Sequence, residues 1–416
     1  MSVEQPSKLW NRDFSILWAG LIQSYLGDAF LEIGLLWLVL ELTGSPVAAG
    51  AILALEGIPK LLGPLAGVII DRTSKRLVLI MADLVRGMIL VLVYGLYVLG
   101  LLAIWQLYIL VVVLGAMTIF YGPALRVMLP TLVPDSALPG ANSAIQGGQQ
   151  VAMIVGASLA GVMLALIGTP AALLLDGLSF LIAALALWLV HFPPGLLRSS
   201  RLSAGAVWHD MIGGLRFIFF TTQVLMLTAL AFFINLVLSP VNVIFPFFSN
   251  TVLGQGVEGF GFLAASIAVG LLVGNLAAGI IGDRLPYTWS ILLGLLGMTL
   301  ALIGLSFAQT LLVALIITAM LGFMTPFIQI PLVSRLQRAV PQNYQGRVFA
   351  TMGTLISLST PLAAALAGQA LAALPIPLIF RVAAVGTLVV ACIWFVVSLR
   401  QQPEPGGQTG SVETTR

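Results

Sequence analysis

The stretch Gly67-Val68-Ile69-Ile70-Asp71-Arg72-Thr73-Ser74-Lys75-Arg76 separates two long apolar runs, and it returns in shortened form as Gly279-Ile280-Ile281-Gly282-Asp283-Arg284. Each copy is a glycine, three residues and an Asp-Arg pair at the end of an apolar run. Asp283 follows Asp71 by about half of the 416-residue chain. Further echoes run in step with it: Pro123 and Pro326, then Val133-Pro134 and Val340-Pro341. An internal repeat on this scale, in an apolar chain, means two related halves with a site between them, which is a transporter plan.

The solvent of those halves follows from composition. The chain is 60% hydrophobic and only 8% charged, whereas a soluble domain carries roughly a quarter charged residues to clothe its surface. Most of this surface must therefore meet lipid. A helix needs about 20 apolar residues to cross a bilayer core, and its backbone must be satisfied internally. The sequence predicts twelve spans, near 15–41, 46–70, 77–99, 103–128, 142–167, 170–192, 219–249, 258–282, 287–308, 310–334, 347–373 and 377–399. Turn signals such as Thr43-Gly44-Ser45-Pro46 and Gly168-Thr169-Pro170 separate them.

Lys and Arg set the orientation. Lys8, Arg12, Arg72, Lys75, Arg76, Arg126, Arg198, Arg201, Arg216, Arg284, Arg335, Arg338, Arg347 and Arg400 all fall on one side, and Arg381 alone departs from the pattern. The expected arrangement has both termini in the cytoplasm and multiple passes through the inner (plasma) membrane. It comprises an N-terminal six-helix bundle over 1–192, a cytoplasmic linker over 193–218, a C-terminal six-helix bundle over 219–400 and a disordered tail over 401–416. The polar segment 1–13 lacks the basic start of a signal peptide, so the first apolar run is expected to stay as a helix. The net charge of +3 forms no basic patch that would suit nucleic acid. Cys392 is the sole cysteine and lies in an apolar run, and His191 and His209 have no ligand spacing, so no metal or other cofactor is expected.

The full signature at Gly67, Asp71, Arg72, Lys75 and Arg76, with its degenerate copy at Asp283 and Arg284, resembles that of the major facilitator superfamily. Matches at Arg12-Asp13-Phe14, Leu26-Gly27-Asp28, Ala82-Asp83-Leu84-Val85-Arg86, Ala141-Asn142 and Gly346-Arg347-Val348-Phe349 are similar to the macrolide-efflux and enterobactin-exporter branch of its drug:proton antiporters. The resemblance implies an all-α fold of two pseudo-symmetric six-helix bundles. It also implies that Asp71 holds the halves together on the cytoplasmic side, in contact with Arg126 and the start of the eleventh span. The same charges could instead serve topology alone. One departure stands out: the Gly-Pro pair that such antiporters often carry in span five is here Gly156-Ala157.

The charges inside the membrane are the candidate chemistry, because each costs about 2.5–3.5 kcal/mol on insertion scales and normally faces a cavity or a partner. Asp28 and Glu32 stand four apart on one helix face, and so do Glu56 and Lys60. Antiparallel counting puts Asp28 and Glu56 at similar depth close to mid-bilayer, with Lys60 about one turn closer to the cytoplasm and expected to pair with one of the carboxylates. They could exchange protons as a cavity alternates, form a static network between two helices, or bind a cationic substrate directly. Asp83 and Arg86, three apart, are expected to pair as a structural unit, and Asp176 is left without a role. Gln23, Tyr121, Asn235, Asn242 and Gln329 are the polar candidates for lining a substrate cavity.

The chain has no His-Glu-x-x-His or Gly-x-Ser-x-Gly pattern and no P-loop, so neither an intramembrane enzyme nor an ATP-driven pump is expected. The expected function is a monomeric, proton-coupled exporter of amphipathic small molecules such as macrolides, other drugs or siderophore-like compounds. A lysolipid flippase of the same fold is the alternative.

Overall fold

A computed structural model describes residues 9–62, 73–190, 204–281 and 285–400. Every regular element among them is a helix. The signature residues Gly67, Asp71, Arg72, Asp283 and Arg284 lie outside the described residues, and so does the expected contact of Asp71 with Arg126.

The first hairpin shows how the sequence sets its own boundaries. Helix α1 (Arg12–Thr43) starts where the Asn11 side chain accepts a hydrogen bond from the Phe14 N–H and Asp13 occupies the positive first turn. It stops at Gly44, whose φ of 60° a glycine adopts without strain. Ser45 then caps α2 (Pro46–Gly57), with Pro46 in the first turn, where its missing N–H costs nothing. After Gly57 the helix tightens into a 3₁₀ turn over Ile58–Leu62.

Six helices complete the first half and the linker: α3 (Lys75–Val98), α4 (Ile104–Thr118), α5 (Tyr121–Leu132), α6 (Leu138–Ile167), α7 (Thr169–Leu189) and, within the predicted linker, α8 (Ala204–Phe220), which leads to the first helix of the second half, α9 (Thr222–Leu238). The second half continues with α10 (Pro240–Phe247), a π turn over Phe248–Val252, α11 (Gly256–Ile281), α12 (Tyr287–Leu305), α13 (Leu311–Met324), α14 (Pro326–Ala339), α15 (Gln342–Ala373) and α16 (Ile376–Arg400). Among the described residues, nine helices are long and apolar enough to cross a membrane. The shortfall from twelve falls on predicted spans one, two and four. Span one carries Gln23, Asp28 and Glu32. Span two runs beyond the described residues. Span four is divided between α4 and α5.

Large apolar side chains point outward all round the molecule, with Phe220 81% and Ile280 72% exposed. In water such a surface would aggregate; in lipid it is the solvated face.

The halves meet along two seams, α2 against α15 and α6 against α11. Small residues let both pairs of backbones touch. A Cβ on Gly161 would lie 2.9 Å from the Gly261 Cα, and one on Gly50 would strike the Ala364 carbonyl and come within 3.1 Å of the Gly368 Cα. Both contacts lie near the linkers that carry no Lys or Arg. At the other end α5 packs on α3 and α6, and α14 on α9, α11 and α12, each within its own half.

Candidate functional site

Asp28 sits near the middle of α1, and Glu32 follows one turn later on the same face. Both line a cavity of about 470 Å³ walled by α1, α3, α6, α10 and α11 and by the junction of α4 and α5. A second cavity of about 260 Å³ shares Asp28, Glu32 and Arg86 with the first and adds Glu56 and Lys60. The four predicted charged residues thus line two neighbouring cavities that share Asp28, Glu32 and Arg86. Phe245 and Phe260 contribute apolar wall to the larger part.

The pairing differs in part from the sequence expectation. Lys60 donates to Glu56 at 3.0 Å, both side chains being partly exposed to the cavity. Arg86 does not form a self-contained unit with Asp83. It reaches from α3 to donate to Asp28 on α1, and its guanidinium lies 3.9 Å from the centre of the Phe180 ring of α7, on which both helices pack. Spacing along one helix favoured the local partner. The tertiary fold supplies a carboxylate from α1 that a guanidinium can reach, and an aromatic face to stack on. Glu32 is left with no ion pair within 4 Å among the described residues, although its side chain is exposed to the cavity.

A second layer of carboxylates stands behind Arg86. Asp83 is fully buried and faces Arg86 and the Tyr121 hydroxyl. Asp176, on α7, is also buried, and its Oδ1 accepts from the Ser179 hydroxyl at 3.2 Å. The carboxyl fits there because Gly27 of α1 offers no side chain; a Cβ at that position would overlap Asp176 Oδ1. Arg86 therefore stands among three carboxylates from three helices. Sequence reading missed it as a site residue. Its signal was a guanidinium inside an apolar run.

The polar candidates separate. Tyr121 and Asn242 line the main cavity. Gln23 turns the other way and donates to the Ser179 carbonyl at 3.4 Å. Asn235 and Gln329 line a different cavity of about 250 Å³ inside the second half. Of the signature residues that are described, Lys75 is buried at the start of α3, and Arg76 donates to the Trp188 carbonyl at the end of α7, where a cation suits the helix dipole. Arg126 lies on α5.

Two bundles of membrane helices enclosing a charged, water-accessible space define a membrane transport protein rather than an enzyme. The chain belongs to the Major Facilitator Superfamily, whose sequence model matches residues 17–364 and again 255–416. Macrolide efflux protein A of Streptococcus pyogenes is 26% identical over 361 residues, covering 85% of this chain and 88% of that protein. Multidrug efflux pump Tap of Mycobacterium tuberculosis is 28% identical over 375 residues, covering 85% and 86%. The crystal structure of nucleoside transporter NupG superposes with a TM-score of 0.73 at 12% identity over 93% of this chain and all of that one, which is a likeness of fold. The protein is thus a multi-pass membrane transporter similar to efflux pumps.

Proposed function

We propose that this transporter exports amphipathic small molecules of the macrolide or multidrug kind, driven by protons, through alternating exposure of its cavity. The observation that carries the reading is the unbalanced charge of the cavity. Asp28 is matched by Arg86 and Glu56 by Lys60, while Glu32 faces the same space unmatched. A membrane cavity keeps an unmatched carboxylate only if something shares it. A proton and a cationic amphipath can take turns there, which is the exchange that an antiporter needs. The two glycine-lined seams close the cavity at one end, while among the described residues α5 and α14 pack mainly on helices of their own halves at the other. That arrangement supports a cavity open toward the side where Lys and Arg gather. In this reading the halves are the two predicted six-helix bundles and the chain works as a monomer in the plasma membrane.

The deciding experiment is substrate-induced proton flux in proteoliposomes, screened over macrolides, cationic dyes and lysolipids. Proton flux with macrolides or dyes is the expected result. Transport of lysolipids without proton flux would replace this reading with the flippase.

A further inference from the structure

The cavity inside the second half is walled by α9, α14 and α15, with Met298 of α12 at its side. None of its lining residues is charged. Asn235 spends an amide N–H on the Ala231 carbonyl at 3.0 Å, and its oxygen has no protein partner among the described residues. The Gln329 side chain makes no hydrogen bond among the described residues and is exposed. Thr325 stands one turn before it on the same wall. Both amides open onto the cavity, so water or a polar group of a ligand must satisfy them there. An ionic group entering here would lose its hydration with no opposite charge in return.

Size and position narrow the occupant. Drug-sized ligands take about 300–1,000 Å³, so a cavity near 250 Å³ holds an arm of one. The rest has a place close by. Asn235 lines this cavity and Asn242 lines the charged one, seven residues along one nearly continuous helical stretch, which is roughly 10 Å. A molecule with a cation at one end and a neutral polar arm at the other would address both. Met298 and Met352, with flexible thioethers, allow arms of different shape.

We propose that the cavity at Asn235, Thr325 and Gln329 is a second binding subsite, which takes an uncharged arm of the substrate bearing hydroxyl and carbonyl groups, while the cationic end sits beside Glu32. The inference rests on the export reading above, and its test keeps the two apart. Two reporter cysteines are placed in a Cys392→Ser background, Val333→Cys in the neutral cavity and Met153→Cys in the charged one. Their maleimide labelling rates are measured in nanodiscs with two probes. Erythromycin is a macrolide with one amine and a hydroxyl-rich neutral body; tetraphenylphosphonium is a cation without a polar arm.

Erythromycin is expected to slow labelling at both reporters by about tenfold, a change of about 1.4 kcal/mol. Tetraphenylphosphonium is expected to slow it at Met153→Cys alone. Adding Asn235→Leu and Gln329→Leu should abolish protection of Val333→Cys by erythromycin. Retained protection of Met153→Cys by tetraphenylphosphonium shows that the variant is folded. Protection of Met153→Cys by both probes, with none at Val333→Cys, would overturn the subsite and leave the export reading standing. Equal protection of Val333→Cys by both probes would also overturn it. Failure of both probes at both reporters would overturn the export reading and the subsite with it.

Discussion

The two halves share a helical plan and differ in what fills it. Behind the cavity face of the first half, α1, α3 and α7 bring Asp28, Asp83 and Asp176 round Arg86. In the second half, α9, α14 and α15, with Met298 of α12 at the side, enclose an uncharged space lined by Asn235, Thr325 and Gln329. The contact between α11 and α13 is likewise neutral, Ser266 and Thr318 sharing a hydrogen bond at 2.5 Å. Symmetric topology therefore leaves the chemistry free. Ionisable groups gathered in one half can change charge state while the other offers a surface whose charge stays constant.

The comparison breaks most visibly at Arg86. Replacing it by Leu leaves Asp28 and the buried Asp83 and Asp176 without their cation, a loss below the roughly 3–5 kcal/mol of a fully buried pair because Asp28 is partly exposed. Arg86→Leu should therefore lower the melting temperature and yield in detergent sharply and abolish transport. Arg86→Lys should restore the fold in part, because the ammonium keeps the charge but loses stacking on Phe180. A fully stable and active Arg86→Leu would remove the charged half from the account.

Next come the cavity carboxylates. Asp28→Asn, Glu32→Gln and Glu56→Gln, assayed singly for proton-driven uptake into inverted vesicles, should cost at least about tenfold in one or more cases. Full coupled transport in all three would sink the coupling role.

The seams test the symmetry directly. Gly161→Leu and Gly50→Leu each force a side chain into touching backbones, at about 1–3 kcal/mol for overpacking. Because the seams are equivalent partners, both variants should open the linker end to an impermeant thiol reagent to a similar degree. A response at one seam alone would show that the halves do not close as equals. The smallest effect belongs to the neutral half: Thr318→Val should cost about 0.6 kcal/mol, the usual worth of such a bond within a membrane, read as a small shift in melting temperature with transport unchanged.

Much of this was legible without coordinates. Apolar runs show helices because lipid leaves the backbone no other partner, and Asn11, Gly44, Ser45 and Pro46 mark a hairpin through their own conformational preferences. Asp28 with Glu32, and Glu56 with Lys60, could be grouped from the sequence because spacing of four is local geometry. The partner of Arg86 was missed because Asp28 is 58 residues away, and no periodicity within α3 reports on α1. Gln23 and Asn235 illustrate the same limit: a polar residue in an apolar helix announces a partner without saying on which side.

By itself the sequence determined the all-helical membrane character, the repeated signature and the presence of costly charges inside apolar helices. Each of these follows from local chemistry or from summed transfer free energies. Only the tertiary structure decided that Arg86 holds Asp28, that Glu32 is left facing the cavity unmatched, and that Asn235 and Gln329 belong to a separate space. Those are pairings between helices, set by rotation and depth against neighbours, and they depend on contacts that no single stretch of chain contains.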